Sequence, residues 1–259
     1  MHTSQLKLDA RTIMAAKRHY IHDRQARTPL SAVVALATMQ KQPAPVLDTV
    51  VSDDHIILMG QLRHTEIYDP VATALRYVRM GVDSIALFTD EKIYSRGMED
   101  LSILSRAVSA PIVYQDYILN EYHVTEARAA GASALVLYAS LMDAKELRQV
   151  VSITQRWRMT SIVEVNNEDE MATASALSPH VIGVGMRTVF ERERDLEKLS
   201  RLRQQTPYNT RFMLLGCLET LDDVAAVAAV GVHAVIVDET LLTPQHFGTL
   251  LEIIGRPVR

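Results

Sequence analysis

Ala130-Gly131-Ala132-Ser133-Ala134-Leu135-Val136-Leu137-Tyr138 is the stretch that decides the fold of this chain. A helix ends on alanine, glycine takes a left-handed cap, and a buried strand begins within one turn. The same grammar recurs at Met80-Gly81-Val82-Asp83-Ser84-Ile85 and at Val230-Gly231-Val232-His233-Ala234-Val235. The strand portion, Ala134–Tyr138, is nearly continuous in apolar residues rather than alternating. Strands buried on both faces read this way, as in a parallel sheet covered by helices. Seven further runs share that character: Ile56–Gly60, Ser84–Phe88, Pro111–Tyr114, Ser161–Val165, Val181–Val184, Arg211–Leu215 and Ala234–Val237.

Successive runs begin about 20 to 30 residues apart, which leaves room for one crossover helix each time. Between them lie helical patterns. Leu101, Leu104 and Val108 share one face, as do Leu221, Val224, Ala225 and Ala228. Thr220, followed by Asp222 and Asp223, marks a helix start, with acidic residues near the positive end of the dipole. Right-handed crossovers would close eight such units into an α/β fold, the (β/α)8 TIM barrel. The competing fold is an open doubly wound sheet, which often carries a glycine-rich first βα turn. Here that turn is Gly60-Gln61-Leu62-Arg63-His64-Thr65, with one glycine and no phosphate fingerprint.

Residues 1–50 precede the barrel, which takes 51–259. Leu8 to about Gln25 reads as one helix, and Thr28-Pro29-Leu30 restarts a second through Met39. Pro43 and Pro45 then break the pattern. This N-terminal helical extension is expected to pack across one mouth of the barrel.

Bulk properties narrow the function classes. Apolar residues make up 48% of the 259, and the net charge is −4. That balance gives no electrostatic case for nucleic acid or an acidic membrane surface. No apolar stretch approaches the roughly 18 residues needed to span a bilayer. The single cysteine, Cys217, allows no internal disulfide. Met1-His2-Thr3-Ser4-Gln5 does not begin a basic segment followed by an apolar core, so no signal peptide is expected, and the expected location is cytoplasmic. The nine histidines show no ligand spacing, so neither a metal nor another cofactor is expected.

Several segments, in order, resemble indole-3-glycerol phosphate synthase. Leu87-Phe88-Thr89-Asp90-Glu91 with Gly97-Met98-Glu99-Asp100-Leu101 is similar to that family's second strand and loop. Asp116-Tyr117-Ile118 after Pro111-Ile112-Val113 resembles the third strand, and Ile162-Val163-Glu164-Val165 the fifth. Ile182-Gly183 with Arg187 resembles the sixth, and Gly231-Val232 with Ala234–Val237 the eighth. The resemblance covers nearly the whole chain. It implies a barrel whose site lies at the C-terminal strand ends. It also implies closure of an indole ring on a carboxyphenylamino-deoxyribulose phosphate, with loss of CO2 and water. That chemistry needs a cationic general acid, a carboxylate to help dehydration, and backbone donors with a helix N-terminus for the phosphate.

Against that resemblance the site residues depart. The family's Glu-x-Lys on strand one reads Gln61-Leu62-Arg63 here, and a guanidinium is a poor proton donor near neutral pH. The Ser-Pro-Ser phosphate loop is replaced by His64-Thr65-Glu66-Ile67-Tyr68. Gln115 stands where a catalytic lysine precedes Asp-Phe, and Gly185 stands where the family has Asn. Leu214-Leu215-Gly216-Cys217 replaces Ser-Glu-Ser-Gly, and Asp238 beside Glu239 replaces a phosphate-facing glycine. Glu164 and Arg187 keep their family identity. A missing general acid alone costs about 10²–10⁴-fold in rate.

The expectation is a catalytically impaired member of the family. It would act as a binding or interaction module, with Glu164 as the one candidate acid/base. Arg63, Gln115, Arg187, Gln61 and Asp238 would contact a small anionic or aromatic ligand. A protein partner is the other expected contact. The alternatives are an altered lyase or isomerase chemistry using Glu164, or residual synthase activity in tryptophan biosynthesis. The bland reading of each residue stands beside these: Glu164 as a salt-bridged relic, Asp116 as a structural acceptor, Cys217 as inert core, Lys92 as a solvated loop residue.

Overall fold

A computed structural model describes residues 10–47, 55–62, 69–88, 97–185 and 192–256. The extension forms α1 (Ala10–Arg27) and α2 (Leu30–Met39). Strands and helices then alternate. They run β1 (Ile57–Leu62), α3 (Pro70–Met80), β2 (Ser84–Phe88), α4 (Gly97–Ala107), β3 (Ile112–Gln115), α5 (Glu121–Ala130), β4 (Ala134–Tyr138) and α6 (Ala144–Arg156). The second half is β5 (Thr160–Val165), α7 (Glu168–Ser175), β6 (Val181–Gly185), α8 (Arg192–Gln205), β7 (Arg211–Leu218), α9 (Leu221–Ala228), β8 (Ala234–Val237) and α10 (Pro244–Ile253). All eight strands are parallel and close in sequence order, β8 pairing back onto β1. The open-sheet alternative is therefore excluded.

Local signals set the boundaries. Gly81 and Gly131 cap α3 and α5 at φ 94° and 99°, and Gly231 sits at 83° before β8. Asp69 accepts from the Ala72 amide at 2.9 Å and Pro70 opens α3. Thr220 accepts from the Asp223 amide at the start of α9. Each such cap satisfies a backbone donor that the first helical turn leaves unpaired.

Two apolar layers follow from strand alternation. Outward residues such as Leu58, Ile85, Leu87, Tyr114, Leu135, Leu137 and Phe212 pack under the helices. Inward residues Met59, Ala86, Val113, Val136, Ile162, Val181, Met213 and Ile236 fill the barrel. Val46 and Leu47, after α2, join this inner cluster. They do so at the N-terminal strand ends, beside Ile57, Pro111, Arg211 and His233. Helices α1 and α2 lie on the flank of the barrel against α5. Tyr122 donates to the Thr28 carbonyl, Gln40 to that of Ala129, and Arg128 to those of Gln40 and Lys41.

β7 is longer than its apolar run suggests, because its pairing with β8 shifts. Met213 pairs with Ala234 but Cys217 with Ile236, so the chain bulges outward of register at 214–216. The sequence reading ended the strand at Leu215. The bulge lets pairing resume, and Cys217 belongs to the strand.

Candidate active site at the C-terminal mouth

Stepping two residues on from each inner-layer side chain gives the ring at the C-terminal mouth. From Met59, Ala86, Val113, Val136, Ile162 and Met213 it reaches Gln61, Phe88, Gln115, Tyr138, Glu164 and Leu215. From Ile236 it reaches Asp238, and on β6 two steps from Val181 pass Gly183 to Gly185. The ring contains Gln61, Gln115, Glu164, Gly185, Leu215 and Asp238, six positions singled out from the sequence. Arg63, Arg187, His64 and Lys92 lie outside the described residues.

Gln61 and Gln115 are half-buried, and neither side-chain amide has a hydrogen-bond partner among the described residues. The Gln61 backbone carbonyl accepts from the Tyr77 hydroxyl at 3.3 Å. Burial, followed by the nearby Glu239 carboxylate, raises the Tyr77 phenol above its ordinary range, so it is a donor there. Beside these amides runs an aromatic wall. Tyr117 meets Phe88 edge-on at 6.4 Å and Tyr138 tilted at 5.5 Å. Rings in such arrangements form a stable apolar surface.

Glu164 leans over Gly185. A β-carbon at 185 would lie 2.6 Å from Glu164 Oε1 and 2.9 Å from Asn166 Oδ1. The Asn166 amide donates to Glu164 Oε1 at 3.3 Å. The carboxylate and the amide therefore occupy the room a side chain on strand six would take. Leu215 likewise fills the space above Gly183, which accounts for an apolar residue at this point of β7. Lys198, on α8, donates to the Gly185 carbonyl at 3.3 Å. It brings an ammonium to the rim of β6, on the far side of the barrel from Gln115.

Behind Gln115 lies a buried polar cluster. The Asp116 carboxylate takes Lys17 Nζ at 2.7 Å, the Tyr114 hydroxyl at 2.9 Å and the Tyr117 amide at 2.6 Å. Tyr114 Oη is in turn 2.8 Å from His123 Nε2. Burial alone would raise the Asp116 carboxyl, but His123 and then Lys17 outweigh it and hold it well below the usual carboxylate range. The structural role read for Asp116 is what this geometry supports. Lys17 and His123 were missed as its partners. The signal for Lys17 was its place four residues before Ile21, on the apolar face of α1.

Asp238 is 5% exposed. Its Oδ1 accepts from the Thr240 amide at 3.0 Å, while Glu239 turns outward to Arg76 at 3.5 Å. Among the described residues no group of three or more His, Cys, Asp and Glu side chains could hold a metal. No described helix is long and apolar enough to cross a membrane. A cavity of about 780 Å³ opens at the opposite, N-terminal end, lined by Val46, Leu47, His55, Ile57, Arg211 and His233 among others. None of the mouth residues lines it.

A closed (β/α)8 barrel with a carboxylate and polar amides at its C-terminal mouth places the chain in the (β/α)8 barrel class, whose sites lie at that face. A sequence model of the family "Indole-3-glycerol phosphate synthase" matches residues 10–251, and the chain belongs to that family. A protein of that name from Leifsonia xyli subsp. xyli is 31% identical over 240 residues, covering 90% of this chain and 92% of the relative. One from Desulfotalea psychrophila is 31% identical over 192 residues, 74% of each. One from a Roseiflexus species is 27% identical over 259 residues, covering 94% and 96%.

Proposed function

We propose that this chain binds a small ligand at the C-terminal mouth and does not close the indole ring at a useful rate. The observation that carries this is Gln115. It ends β3 with a neutral amide that has no partner among the described residues, where the family resemblance implies the lysine that protonates the substrate carbonyl. An amide has no titratable proton to give, and Gln61 is equally neutral on β1. Lys198 does not replace the missing acid, because its ammonium is held to the Gly185 carbonyl across the barrel. Glu164, steadied by Asn166, is the one carboxylate of the mouth retained from the family, and it would orient a ligand donor. The ligand is small and aromatic or anionic, the setting cytoplasmic, and a protein partner is the further role such a module would serve.

A second reading is favoured by the relatives. A protein bearing the synthase name shares 31% identity over 92% of its length, so residual synthase activity is its content. Incubating the full chain with the carboxyphenylamino-deoxyribulose phosphate and following indole absorbance separates the two. The proposal expects a rate no higher than that of Glu164→Gln. A rate that Glu164→Gln lowers by 10²-fold or more supports the second reading instead.

A further inference from the structure

We infer that the groove between α1 and the loops after β3 and β4 is a ligand site for the zwitterion of an apolar α-amino acid. It stands apart from the reading of the mouth, and none of the mouth residues lines it among the described residues. The groove encloses about 370 Å³, within the range of small-molecule sites. One wall is a face of α1, where Arg18, His22 and Gln25 follow at i, i+4 and i+7. The other wall holds Asn120, which caps α5, and Glu146, in the first turn of α6. Ile21, Leu119 and Met142 supply the apolar lining. Ile21 is 2% exposed and packs with Leu119, so this floor is part of the folded core.

Opposite charges line this groove without pairing. Arg18 has no hydrogen bond or ion pair among the described residues, and neither has His22 or Gln25. Glu146 Oε2 accepts from the Asp143 amide at 3.1 Å, which leaves Oε1 for a ligand. Asn120 Oδ1 accepts from the His123 amide at 3.1 Å, so the Asn120 NH2 group is the donor it can offer.

A ligand with a single charge would satisfy one wall and meet a like charge at the other. A molecule that carries a carboxylate and an ammonium on one carbon satisfies both. The carboxylate takes the Arg18 guanidinium, which can bind it through two N–H groups, and the ammonium takes Glu146. Its side chain then covers the apolar floor, where the Met142 thioether favours an aromatic ring.

The test titrates the full chain by calorimetry with three probes. They are L-phenylalanine, phenethylamine, which lacks the carboxylate, and hydrocinnamate, which lacks the ammonium. Phenylalanine should saturate a single site and bind at least about 5-fold more tightly than either partial probe. Arg18→Gln should weaken phenylalanine by about that factor and leave phenethylamine unchanged. Glu146→Gln keeps an acceptor for the Asp143 amide, so the cap survives. It should weaken phenylalanine and leave hydrocinnamate unchanged. Both positions are exposed, and unfolding midpoints check that both variants keep the fold. Absence of saturation by phenylalanine overturns the inference. So does equal affinity in the unaltered chain and both variants, which would put the ring on the aromatic wall of the mouth. Neither result bears on ring closure, so the proposed function stands or falls separately.

Discussion

Gly185 and Lys17 show how single residues set this site. At 185 the absent side chain is the room in which Glu164 and Asn166 meet. Gly185→Ala displaces the ends of the Glu164 and Asn166 side chains and should cost about 1 kcal/mol, the low end of overpacking, read by urea unfolding. A neutral result would mean that Glu164 moves aside freely and is not held. Lys17 is 3% exposed and pairs with an equally buried Asp116. Lys17→Met removes the ammonium and leaves His123 beside that carboxylate, at a cost of up to about 3–5 kcal/mol. Adding Asp116→Asn should recover part of the loss, because the carboxylate charge goes with it. Strictly additive losses in the double variant would contradict the pairing.

At the scale of elements, the junction of β5 and β6 carries a pH response. His180 Nδ1 accepts from the Ser161 amide at 3.1 Å, which requires the unprotonated nitrogen. Burial lowers the His180 pKa below its ordinary value. A folded value below the unfolded one of about 6.5 means the contribution is whole above that pH. It is lost as the pH falls through the lower folded value. Unfolding midpoints should therefore drop on going from pH 7 to pH 5. The drop should be smaller in His180→Asn, whose amide oxygen can still accept. An equal slope in both proteins would assign the effect elsewhere. Asp116, held low on β3, gives the same sign further down: its contribution is present above about pH 4 and lost as the pH falls through its own lower value.

For the whole molecule, what the sequence revealed tracks what is local. Continuous apolar runs and glycine caps are short-range signals, and they placed all eight strands to within a few residues. The ring at the mouth was legible too, because strand alternation is a period-2 rule: Gln61, Gln115, Glu164 and Asp238 fall on it without any tertiary knowledge. Contacts far apart in the chain were not legible. Lys17 and Asp116 are 99 residues apart, and only the closed barrel with α1 on its flank brings them together. The bulge on β7 was likewise hidden, since Leu214-Leu215-Gly216 reads as a plain strand end until β8 sets the pairing.

We propose that this barrel keeps its family's mouth without the proton donor that the resemblance implies. This is tested most directly in a single turnover, with the purified chain in excess over the carboxyphenylamino-deoxyribulose phosphate and indole-3-glycerol phosphate quantified over hours. The account predicts no product above a protein-free control. It also predicts that Gln115→Lys, which returns an ammonium to the end of β3, raises the yield. Conversion by the unaltered chain at about 1 s⁻¹ or faster, the range of ordinary enzymes, would contradict it.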